Sequence, residues 1–490
     1  MEAAGGNRMV NWDPTSENEE NSKSFPLKWC FVSLSDVISH QKRLEASVYD
    51  IEAKQAMQLI KSSRYPLTKV GGKDGLAFTY VGARFKRIWV EKSDIPIFQP
   101  SSILDVKPDP DGYISHLTKI NIEELRVKKG QILMTCSGTI GKVSYVSETL
   151  ANKVFSHDLL RITCKETIDQ GYLYTYLKSR IGNKILLANR YGAVITHIEP
   201  HHLAEVPVPN APLHIKKKIH NRIVRSYELR DESNQLLDKA ERLLMNELQL
   251  PAIQEFEAGA VRQVNVFAVK LSELEGRADA SYHVPVVDAI VAHMKKYAAE
   301  VTTMSDPRIS KSIVLAGVFK RTYVEEEYGY PFIGGKEITQ LSPQTDKFLS
   351  KPIHKSRYEK ELKVLENTIL LTDRGTIGTV ALVPKHWEGY AVSQNVLKLI
   401  PSSADIAGYL YIYLNSDYGK VLVRRQTYGS VVNMIDDKSL ASVEVPILKS
   451  EEVQNKINDL ALEANRKRYQ AYELEQQALR IMDEEVIYVK

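Results

Sequence analysis

The sequence predicts an α+β protein in which two copies of one mixed α/β domain alternate with two long helices. Three observations predict this architecture. The phrase TCSGTIGKVSYV at residues 135–146 returns as TDRGTIGTVALV at residues 372–383. The similarity between the copies runs without a gap from Leu125 to Pro209, at a constant offset of 237 residues. A segment with a seven-residue pattern follows each copy.

A domain duplication explains the repeat better than a recurring turn does, because one turn would not hold register over so long a stretch. GYLYTYL in the first copy returns as GYLYIYL, and LAEVPVP returns as LASVEVP. Further upstream, ARFKRIWV resembles GVFKRTYV. The predicted parts are a flexible acidic tail at 1–26, domain 1 at 27–213, helix 1 at 214–250, a linker at 251–266, domain 2 at 267–451 and helix 2 at 452–486.

Each domain combines strands and helices. GQILMTC and NTILLTD predict buried strands, and VSYV and VALV predict the next strand after a glycine turn. YLYTYLKS and YLYIYLNS predict a short helix, and VPVP and VEVP predict a terminal strand.

The two helical segments carry a large side chain at one heptad position and a small side chain beside it. In helix 1 these positions are Ile215, Arg222, Leu229, Leu236, Leu243 and Leu250, with Ile219, Ser226, Ser233 and Ala240 beside them. In helix 2 they are Val453, Leu460, Lys467, Leu474 and Ile481, with Ile457, Ala464, Ala471 and Ala478 beside them.

Small residues let two helix backbones approach closely. We therefore predict that the helices, each ~50 Å long at ~1.5 Å per residue, pair as an antiparallel coiled coil with pseudo-two-fold symmetry. This pairing would push the two domains to opposite ends. Two separate helical tails that bind other proteins are the alternative.

The composition, with 43% hydrophobic and 26% charged residues, is that of a globular protein. No apolar run reaches the ~20 residues of a membrane span, and the N-terminus has no secretory signal pattern. The cysteines Cys30, Cys136 and Cys164 are too widely spaced to indicate a disulfide framework or a zinc site. We therefore expect a cytoplasmic location. The formal net charge of +4 permits a nucleic-acid partner without indicating one.

Sequence motifs of catalysis are missing. The chain has neither a GxxxxGK[ST] nucleotide loop nor a GxGxxG turn after a strand. It also lacks the Asn/Asp-Pro-Pro-aromatic motif with which amino-methyltransferases hold the target amine. PDPDG at Pro108 offers carboxylates, but no Glu-x-Lys partner follows a strand, and an acidic turn is the simpler interpretation. We predict no catalytic residue, no metal ligand and no cofactor.

A basic pair beside an aromatic residue recurs in both domains. Lys86 and Arg87 precede Trp89, and Lys320 and Arg321 precede Tyr323. Such a cluster suits contacts with nucleic-acid phosphates, which carry no sequence information. A solvated strand edge is the alternative.

The loop tips differ between the copies at equivalent positions. Arg374 precedes the second GTIG where the first has Ser137, and the triplet at 156–158 is Ser-His-Asp where the one at 393–395 is Ser-Gln-Asn. Arginine can fork onto guanine, and glutamine or asparagine can bind adenine through two hydrogen bonds. An ordinary variable loop and a turn cap are the alternatives. The GTIG glycines favour a tight turn over a phosphate cradle.

The order domain, helix, domain, helix, with ILxxxxGTIG, the Ser-polar-polar triplet and YGAVI or YGSVV, resembles the specificity subunit of type I restriction-modification enzymes. The resemblance covers nearly all of residues 27–486. It implies that the domains are target recognition domains, each reading one half of a split DNA sequence in the major groove. It also implies that the coiled coil acts as a ruler and docks two methyltransferase subunits, which motor-nuclease subunits then join. The methyl donor and ATP would belong to those subunits.

The expected partners are therefore double-stranded DNA, DNA methyltransferase subunits and restriction-translocase subunits, with no membrane. The predicted DNA-binding residues are Lys86, Arg87, Ser137, Thr139, Lys142, His157, Lys320, Arg321, Arg374, Thr376, Gln394 and Asn395. Three other functions stay open: the specificity subunit of a related restriction system, a fused methyltransferase or nuclease, and a scaffold whose domains bind protein. The missing motifs weigh against the enzyme, and salt-dependent DNA binding would exclude the scaffold.

Overall fold

The structure is a computed structural model that describes residues 32–39, 42, 44, 49–188, 190, 196–260, 267–274, 276–343, 345–429 and 432–489. The predicted tail at 1–26, the end of the predicted linker at 261–266 and the YGAVI phrase at 191–195 lie outside these described residues.

The α-helices of the described chain include two that are far longer than the rest. They are α1 (Leu34–Ser39), α2 (Ile51–Lys61), α3 (Ile122–Leu125), α4 (Thr167–Lys178), α5 (Arg180–Ala188), α6 (Pro200–Ala204), α7 (Leu213–Glu247), α8 (Ile253–Ala260), α9 (Pro285–Tyr297), α10 (Lys351–Arg357), α11 (Ala404–Asn415), α12 (Asp417–Arg425), α13 (Asp437–Ala441) and α14 (Glu451–Met482). Helix α8 lies in the segment that was predicted to be a linker.

The strands are short and fall into two equal sets. They are β1 (Leu67–Lys69), β2 (Ala77–Val81), β3 (Trp89–Val90), β4 (Pro96–Phe98), β5 (Gly112–Ile114), β6 (Ile132–Thr135), β7 (Val143–Tyr145), β8 (Val154–Phe155), β9 (Leu159–Cys164) and β10 (Pro207–Pro209), followed by β11 (Glu300–Thr303), β12 (Ser310–Val314), β13 (Tyr323–Val324), β14 (Gly329–Ile333), β15 (Phe348–Ser350), β16 (Ile369–Thr372), β17 (Val380–Leu382), β18 (Ala391–Val392), β19 (Val396–Pro401) and β20 (Glu444–Ile447).

The sheets repeat strand for strand. The antiparallel sheet β2-β9-β6-β7 returns as β12-β19-β16-β17, and the sheet β3-β5-β4-β8 returns as β13-β15-β14-β18. In the second kind of sheet only the pairs β4–β8 and β14–β18 are parallel. The two-stranded sheet β1-β10 returns as β11-β20. We call α2 through β10 module 1 and α9 through β20 module 2. The topology confirms the duplication.

The repeated GYLYxYL phrase fixes each module to the long helix that follows it. A Cβ on Gly171 would lie 2.7 Å from the Cα of His220 on α7, and a Cβ on Gly408 would lie 2.3 Å from the carbonyl oxygen of Asn458 on α14. These distances are shorter than any real contact, so only glycine permits this close packing. The phrase therefore recurs because both modules need the same approach of helix to helix.

Helices α7 and α14 pair as an antiparallel coiled coil, as the sequence predicts. Lys218 near the start of α7 binds Glu485, just beyond α14, at 3.1 Å, and Glu232 binds Lys467 at 2.6 Å. The small heptad positions form the seam, and the Ser226 hydroxyl donates to the Ala471 carbonyl at 2.6 Å. Helix α7 has no glycine or proline between Pro212 and Pro251, so nothing interrupts it.

Both helices contribute to the core of each module. The core of module 1 includes Ile219 of α7 and Met482 of α14, and the core of module 2 includes Leu244 of α7 and Ile457 of α14. Because the helices are antiparallel, the modules lie at opposite ends of the coiled coil. The helices are therefore as much a part of each module as its sheets are.

The modules also meet over the middle of the coiled coil, which the sequence does not predict. The Val106 amide of module 1 donates to the Thr339 carbonyl of module 2 at 3.0 Å, and the Thr339 hydroxyl donates to the Asp105 carboxylate. Leu341 packs beside them against Leu229 of the coiled coil. The expectation that the helices merely push the domains apart is therefore incomplete.

Candidate nucleic-acid interface

Three loops of each module lie at the same end of its larger sheet. Strands β2 and β6 both end opposite the first residues of β9, and β12 and β16 end opposite the first residues of β19. The loops that meet there are residues 82–88, 136–142 and 156–158 in module 1 and residues 315–322, 373–379 and 393–395 in module 2. We call each set a loop edge. Every residue that the sequence predicts to bind DNA lies on one of the two loop edges.

The GTIG turns give both loop edges the same backbone. The φ angles are +69° at Gly138, +82° at Gly141, +73° at Gly375 and +85° at Gly378. This left-handed region is favourable for glycine and unfavourable for other residues. A tight turn thus accounts for the repeated glycines, in agreement with the interpretation favoured from the sequence.

A cluster of aromatic and basic side chains forms the centre of the first loop edge. The guanidinium carbon of Arg87 lies 5.8 Å from the centre of the Phe85 ring and 6.0 Å from that of Trp89. The His157 ring meets Phe85 edge to face at 5.8 Å. Lys86 is exposed beside them. The structure therefore joins the basic pair and His157, which are far apart in sequence.

Several polar atoms of this cluster have no partner. Within the described chain, the Ser156 hydroxyl, Nδ1 of His157, and Nε and Nη2 of Arg87 are buried without a hydrogen bond. Burial lowers the pKa of His157, and the nearby Arg87 and Arg84 add to this, against the opposing charge of Asp158. A neutral imidazole at pH 7 can both donate and accept a hydrogen bond.

The other residues of the first loop edge differ in exposure. Thr139 is exposed at the tip of the turn, and Ser137 is half-buried. Lys142 is also half-buried, and burial lowers its pKa although Asp346 and Glu337 of module 2 oppose the shift. Lys142 therefore lies within electrostatic range of the opposite module.

The second loop edge presents its basic pair more openly. Lys320 and Arg321 are both exposed, and the guanidinium carbon of Arg321 lies 5.5 Å from the centre of the Phe332 ring. The exposed Tyr323 ring lies 6.2 Å from the same phenylalanine. Both modules thus place an arginine beside an aromatic ring, but Arg321 is exposed whereas Arg87 is half-buried.

Arg374 is held by its neighbour in the chain. Its Nη2 lies 2.7 Å and its Nε 3.0 Å from Oδ2 of Asp373, which is almost fully buried. The hydrogen bond that Arg374 donates to Asp373 raises the pKa of the arginine. The first module has Cys136 at the position of Asp373, so this pair has no counterpart there. The guanidinium remains partly exposed, but Asp373 fixes its orientation.

The polar triplet of module 2 carries amide groups in place of an imidazole. Gln394 and Asn395 are half-buried, and the side-chain oxygens of both are buried without a hydrogen-bond donor in the described chain. The Asn395 amide nitrogen of the backbone donates to the Ser393 hydroxyl at 3.3 Å. Thr376 is exposed at the tip of the turn. Hydrogen-bonding capacity therefore remains open at this edge.

Sequence reasoning missed two buried cations behind the loop edges. Arg161 on β9 and Lys398 on β19 occupy equivalent positions and bind main-chain carbonyls. The signal was available as a single basic residue inside the apolar strands LLRITC and VLKLIP. It also missed Asp373, whose role depends on the side-chain geometry of the turn.

Over the described ranges, no group of His, Cys, Asp or Glu side chains has the arrangement of a metal site. No described helix is both long and apolar enough to cross a membrane.

Solved structures with similar chains share low sequence identity with this one. The S subunit of a type I restriction-modification system from M. genitalium is 15% identical, covering 86% of this chain and 95% of that chain with a TM-score of 0.32. The HsdS subunit from Thermoanaerobacter tengcongensis is 14% identical, covering 84% and 98% with a TM-score of 0.26. A chain from a study of complex assembly and conformational transition of the type I R-M system is 13% identical, covering 86% and 96% with a TM-score of 0.27.

No curated protein sequence matches this chain significantly. The family model for the type I restriction modification DNA specificity domain, however, matches twice, at residues 85–242 and at residues 317–460. Each match takes in the larger part of one module; the first continues through most of α7, the second ends within the first third of α14, and together the matches cover more than half of the chain. The chain therefore belongs to the family of type I restriction-modification DNA specificity proteins and carries two copies of its domain.

Proposed function

We propose that the two modules read the two halves of a split, asymmetric DNA target, each placing its loop edge in the major groove. One observation carries this proposal: the loop edges are built on identical sheet topologies but carry different side chains at equivalent positions. A shared frame gives both modules the same approach to the duplex. Different side chains give each module its own sequence.

The basic pairs supply the part of binding that is independent of sequence. Lys86 and Arg87 recur as Lys320 and Arg321, and each pair lies beside an aromatic ring. Phosphate contacts need no variation between half-sites, so a contact that is repeated in both modules suits them. Lys86 is exposed and can reach a phosphate oxygen, and Arg87 lies beside it.

The loop tips supply the part that depends on sequence. In module 1, His157 with Ser137 and Thr139 would contact base edges. In module 2, the amides of Gln394 and Asn395 offer the donor and acceptor pair that adenine requires, and Arg374 with Thr376 lies beside them. The orientation that Asp373 imposes on Arg374 favours a directed base contact over a loose phosphate contact.

The coiled coil would set the distance between the half-sites. Helix α7 has 35 residues, which gives ~52 Å at ~1.5 Å per residue. One turn of DNA is ~34 Å, so modules at the two ends can reach one face of a single duplex. The contact between Asp105 and Thr339 also joins the modules over the middle of the rod.

The resemblance to type I specificity subunits suggests the partners, and the pseudo-two-fold symmetry supports two equivalent docking surfaces. Two equivalent surfaces on the coiled coil suit two DNA methyltransferase subunits, and a restriction-translocase subunit would join that assembly. We infer that this chain itself performs no catalysis and needs no cofactor. Purified alone, it should transfer no methyl group from S-adenosylmethionine to DNA, and labelled transfer by the isolated chain would contradict this inference.

Mapping of methylated bases tests the proposed function. A host lacking other methyltransferases would express the chain with its modification subunits. The expected result is methylation in two unlike half-sites separated by a spacer of fixed length and unspecified sequence. A continuous target, or a target with two identical half-sites, would contradict the proposal.

A further inference from the structure

Arg161 is a charged side chain in the apolar core of module 1. It lies in the middle of β9 and has no exposed surface. Its Nη1 donates to the Leu159 carbonyl at 3.1 Å, and its Nη2 lies 3.2 Å from the carbonyls of Leu125 and Phe155. The carbonyl of Ser156 lies 3.3 Å from the same nitrogen. Over the described part of the chain, Arg161 forms no salt bridge.

Burial of a cation without a counter-ion is unfavourable, because carbonyl dipoles replace water only in part. The burial is reflected in a lowered pKa of Arg161. The core of a sheet needs no charge at this point, and leucine would fill such a position at lower cost. The buried position of Arg161 is therefore best explained by the backbone segments whose carbonyls it binds.

Two of these carbonyls lead directly into the first loop edge. Phe155 ends β8, and Ser156 begins the triplet that carries His157. A guanidinium is planar and rigid and can hold several acceptors at once. Arg161 thereby joins the end of β8, the triplet and the start of β9 into one rigid corner behind His157.

Module 2 provides a matched comparison. Lys398 occupies the equivalent position, and its Nζ donates to the Lys363 carbonyl at 2.9 Å. No hydrogen bond of Lys398 to the triplet at 393–395 is present among the described residues. There the Asp373 backbone amide donates to the Asn395 carbonyl at 3.2 Å. Each module thus has a buried cation, but only in module 1 does the cation bind the reading triplet.

We propose that Arg161 is a positioning residue for sequence reading by module 1, which holds the 156–158 triplet in the geometry that its half-site requires. The inference rests on the proposed function of the loop edges. Arg161 does not touch DNA, and it acts through the carbonyls of Phe155 and Ser156. Base discrimination depends on side chains that are held within a fraction of an ångström, so a loosened triplet would read less sharply.

The substitution Arg161→Lys tests this directly, because it copies the residue of module 2 and keeps the charge. A lysine offers one ammonium group and cannot serve all four carbonyls. The matched control is Lys398→Met, which removes the buried cation that does not hold a triplet. A second test variant, Arg161→Gln, keeps hydrogen-bond donors but removes the charge.

The full chain, assembled with its modification subunits, would select targets from a random-sequence duplex library. For Arg161→Lys we expect discrimination at the first half-site to fall about tenfold, the scale of one base contact, with the second half-site read as in the parent. Arg161→Gln should show the same one-sided loss. Lys398→Met should leave discrimination at the second half-site within about twofold of the parent. Unchanged reading of the second half-site in the same sample shows that the assembly is intact.

Three results would overturn the proposal. Discrimination at both half-sites could fall together, which would indicate a general loss of structure. The first half-site could be read normally by Arg161→Lys and Arg161→Gln. Lys398→Met could relax the second half-site as strongly as Arg161→Lys relaxes the first. The variant His157→Ala separates this failure from failure of the proposed function: if it too leaves the first half-site unchanged, the triplet does not read DNA at all.

Discussion

The two modules share a frame and differ in how they hold their loop edges. In module 1 the buried Arg161 binds the 156–158 triplet from behind, and His157 packs against Phe85. In module 2 the backbone amide of Asp373 donates to the Asn395 carbonyl of the triplet, and the Asp373 carboxylate forms a salt bridge with Arg374. The sheet order and the glycine turns are the same in both. Duplication thus preserved the fold of the loop edges, while the side chains on them diverged.

The same divergence occurs where the modules meet the coiled coil. At the module 1 end, Glu475 of α14 is fully buried and binds Lys178 at 2.8 Å and Arg230 at 3.2 Å, and it accepts a hydrogen bond from Tyr174. At the module 2 end the equivalent position is Leu237, which packs in an apolar core. One end therefore depends on an ionic network and the other on apolar packing.

The largest effect is expected from Glu475→Leu, which installs the residue of the opposite end. Lys178 and Arg230 would remain buried without their counter-ion, which costs ~3–5 kcal/mol when one partner of a buried pair is removed. The free energy of unfolding, measured by denaturant titration of the full chain, should fall by this amount.

The control is the double variant Glu475→Leu with Lys178→Asn, because module 2 carries Asn415 where module 1 carries Lys178. It should regain part of the lost stability, and no recovery would contradict the ionic interpretation. Acid provides a second check. Lys178 and Arg230 outweigh burial and lower the pKa of Glu475 to about 2 from its ordinary 4.5. Its stabilisation is therefore present above pH ~4.5 and is lost as the pH falls through ~2.

A smaller and one-sided effect is expected from Arg374→Ala. It should relax or abolish reading of the second half-site only, at ~1–3 kcal/mol for a lost bidentate base contact. Affinity for a panel of half-site variants measures it. Asp373→Asn should produce a weaker loss at the same half-site, because it loosens the guanidinium without removing it. If Arg374→Ala leaves affinity and both preferences unchanged, the pair is structural.

The basic pairs should behave alike in the two modules. Lys86→Ala and Lys320→Ala should each weaken DNA binding with little change in sequence preference. Each should also flatten the slope of log affinity against log salt by ~0.9 for one lost phosphate contact. Binding at several salt concentrations measures this slope. A change in the preferred bases with an unchanged slope would place these lysines among the base readers instead.

The smallest effect on DNA reading is expected where the modules touch. Burial raises the pKa of Asp105 to about 6, against the hydrogen bond from Thr339, so the native state takes up a proton more readily than the unfolded chain. This contribution to stability is full below pH ~3.8 and is lost as the pH rises through ~6. Asp105→Asn should remove this pH dependence and leave both half-sites unchanged. A variant that keeps the wild-type pH profile of unfolding would contradict the assignment.

The sequence predicts the shared fold of the two modules because the same residue pattern occurs twice. The phrase around Gly138 and Gly375 holds register over a whole domain, and the small heptad positions such as Ser226 and Ala471 form the seam between the helices. Local patterns suffice to predict both the domain repeat and the helix seam, because each feature depends only on which residues recur and at what spacing.

The details of the site could not be predicted because they depend on contacts between distant segments. Nothing in a local pattern brings Asp105 to Thr339, or Glu475 to Lys178. The salt bridge between Asp373 and Arg374 joins neighbours in the chain, but it depends on a turn geometry that the sequence does not determine. A lone basic residue in an apolar strand was the only sign of Arg161, and its meaning required the carbonyls around it.

In the proposed arrangement, the coiled coil sets the distance between two modules that read DNA independently. In the middle of the coiled coil the contacts of the two modules overlap, because Leu229 of α7 packs against Leu341 of module 2 and Asp238 of α7 binds Lys107 of module 1. One heptad inserted into the middle of each helix keeps the seam in register and lengthens each helix by ~10 Å, which separates these contacts. Thr339→Ala, which removes the hydrogen bond to Asp105 and leaves both helices at their full length, is the control. Methylome mapping should show both half-sites unchanged and a spacer longer by ~3 base pairs, at ~3.4 Å each, with the control retaining the original spacer. Altered half-sites with the original spacer would show that the coiled coil does not set this distance.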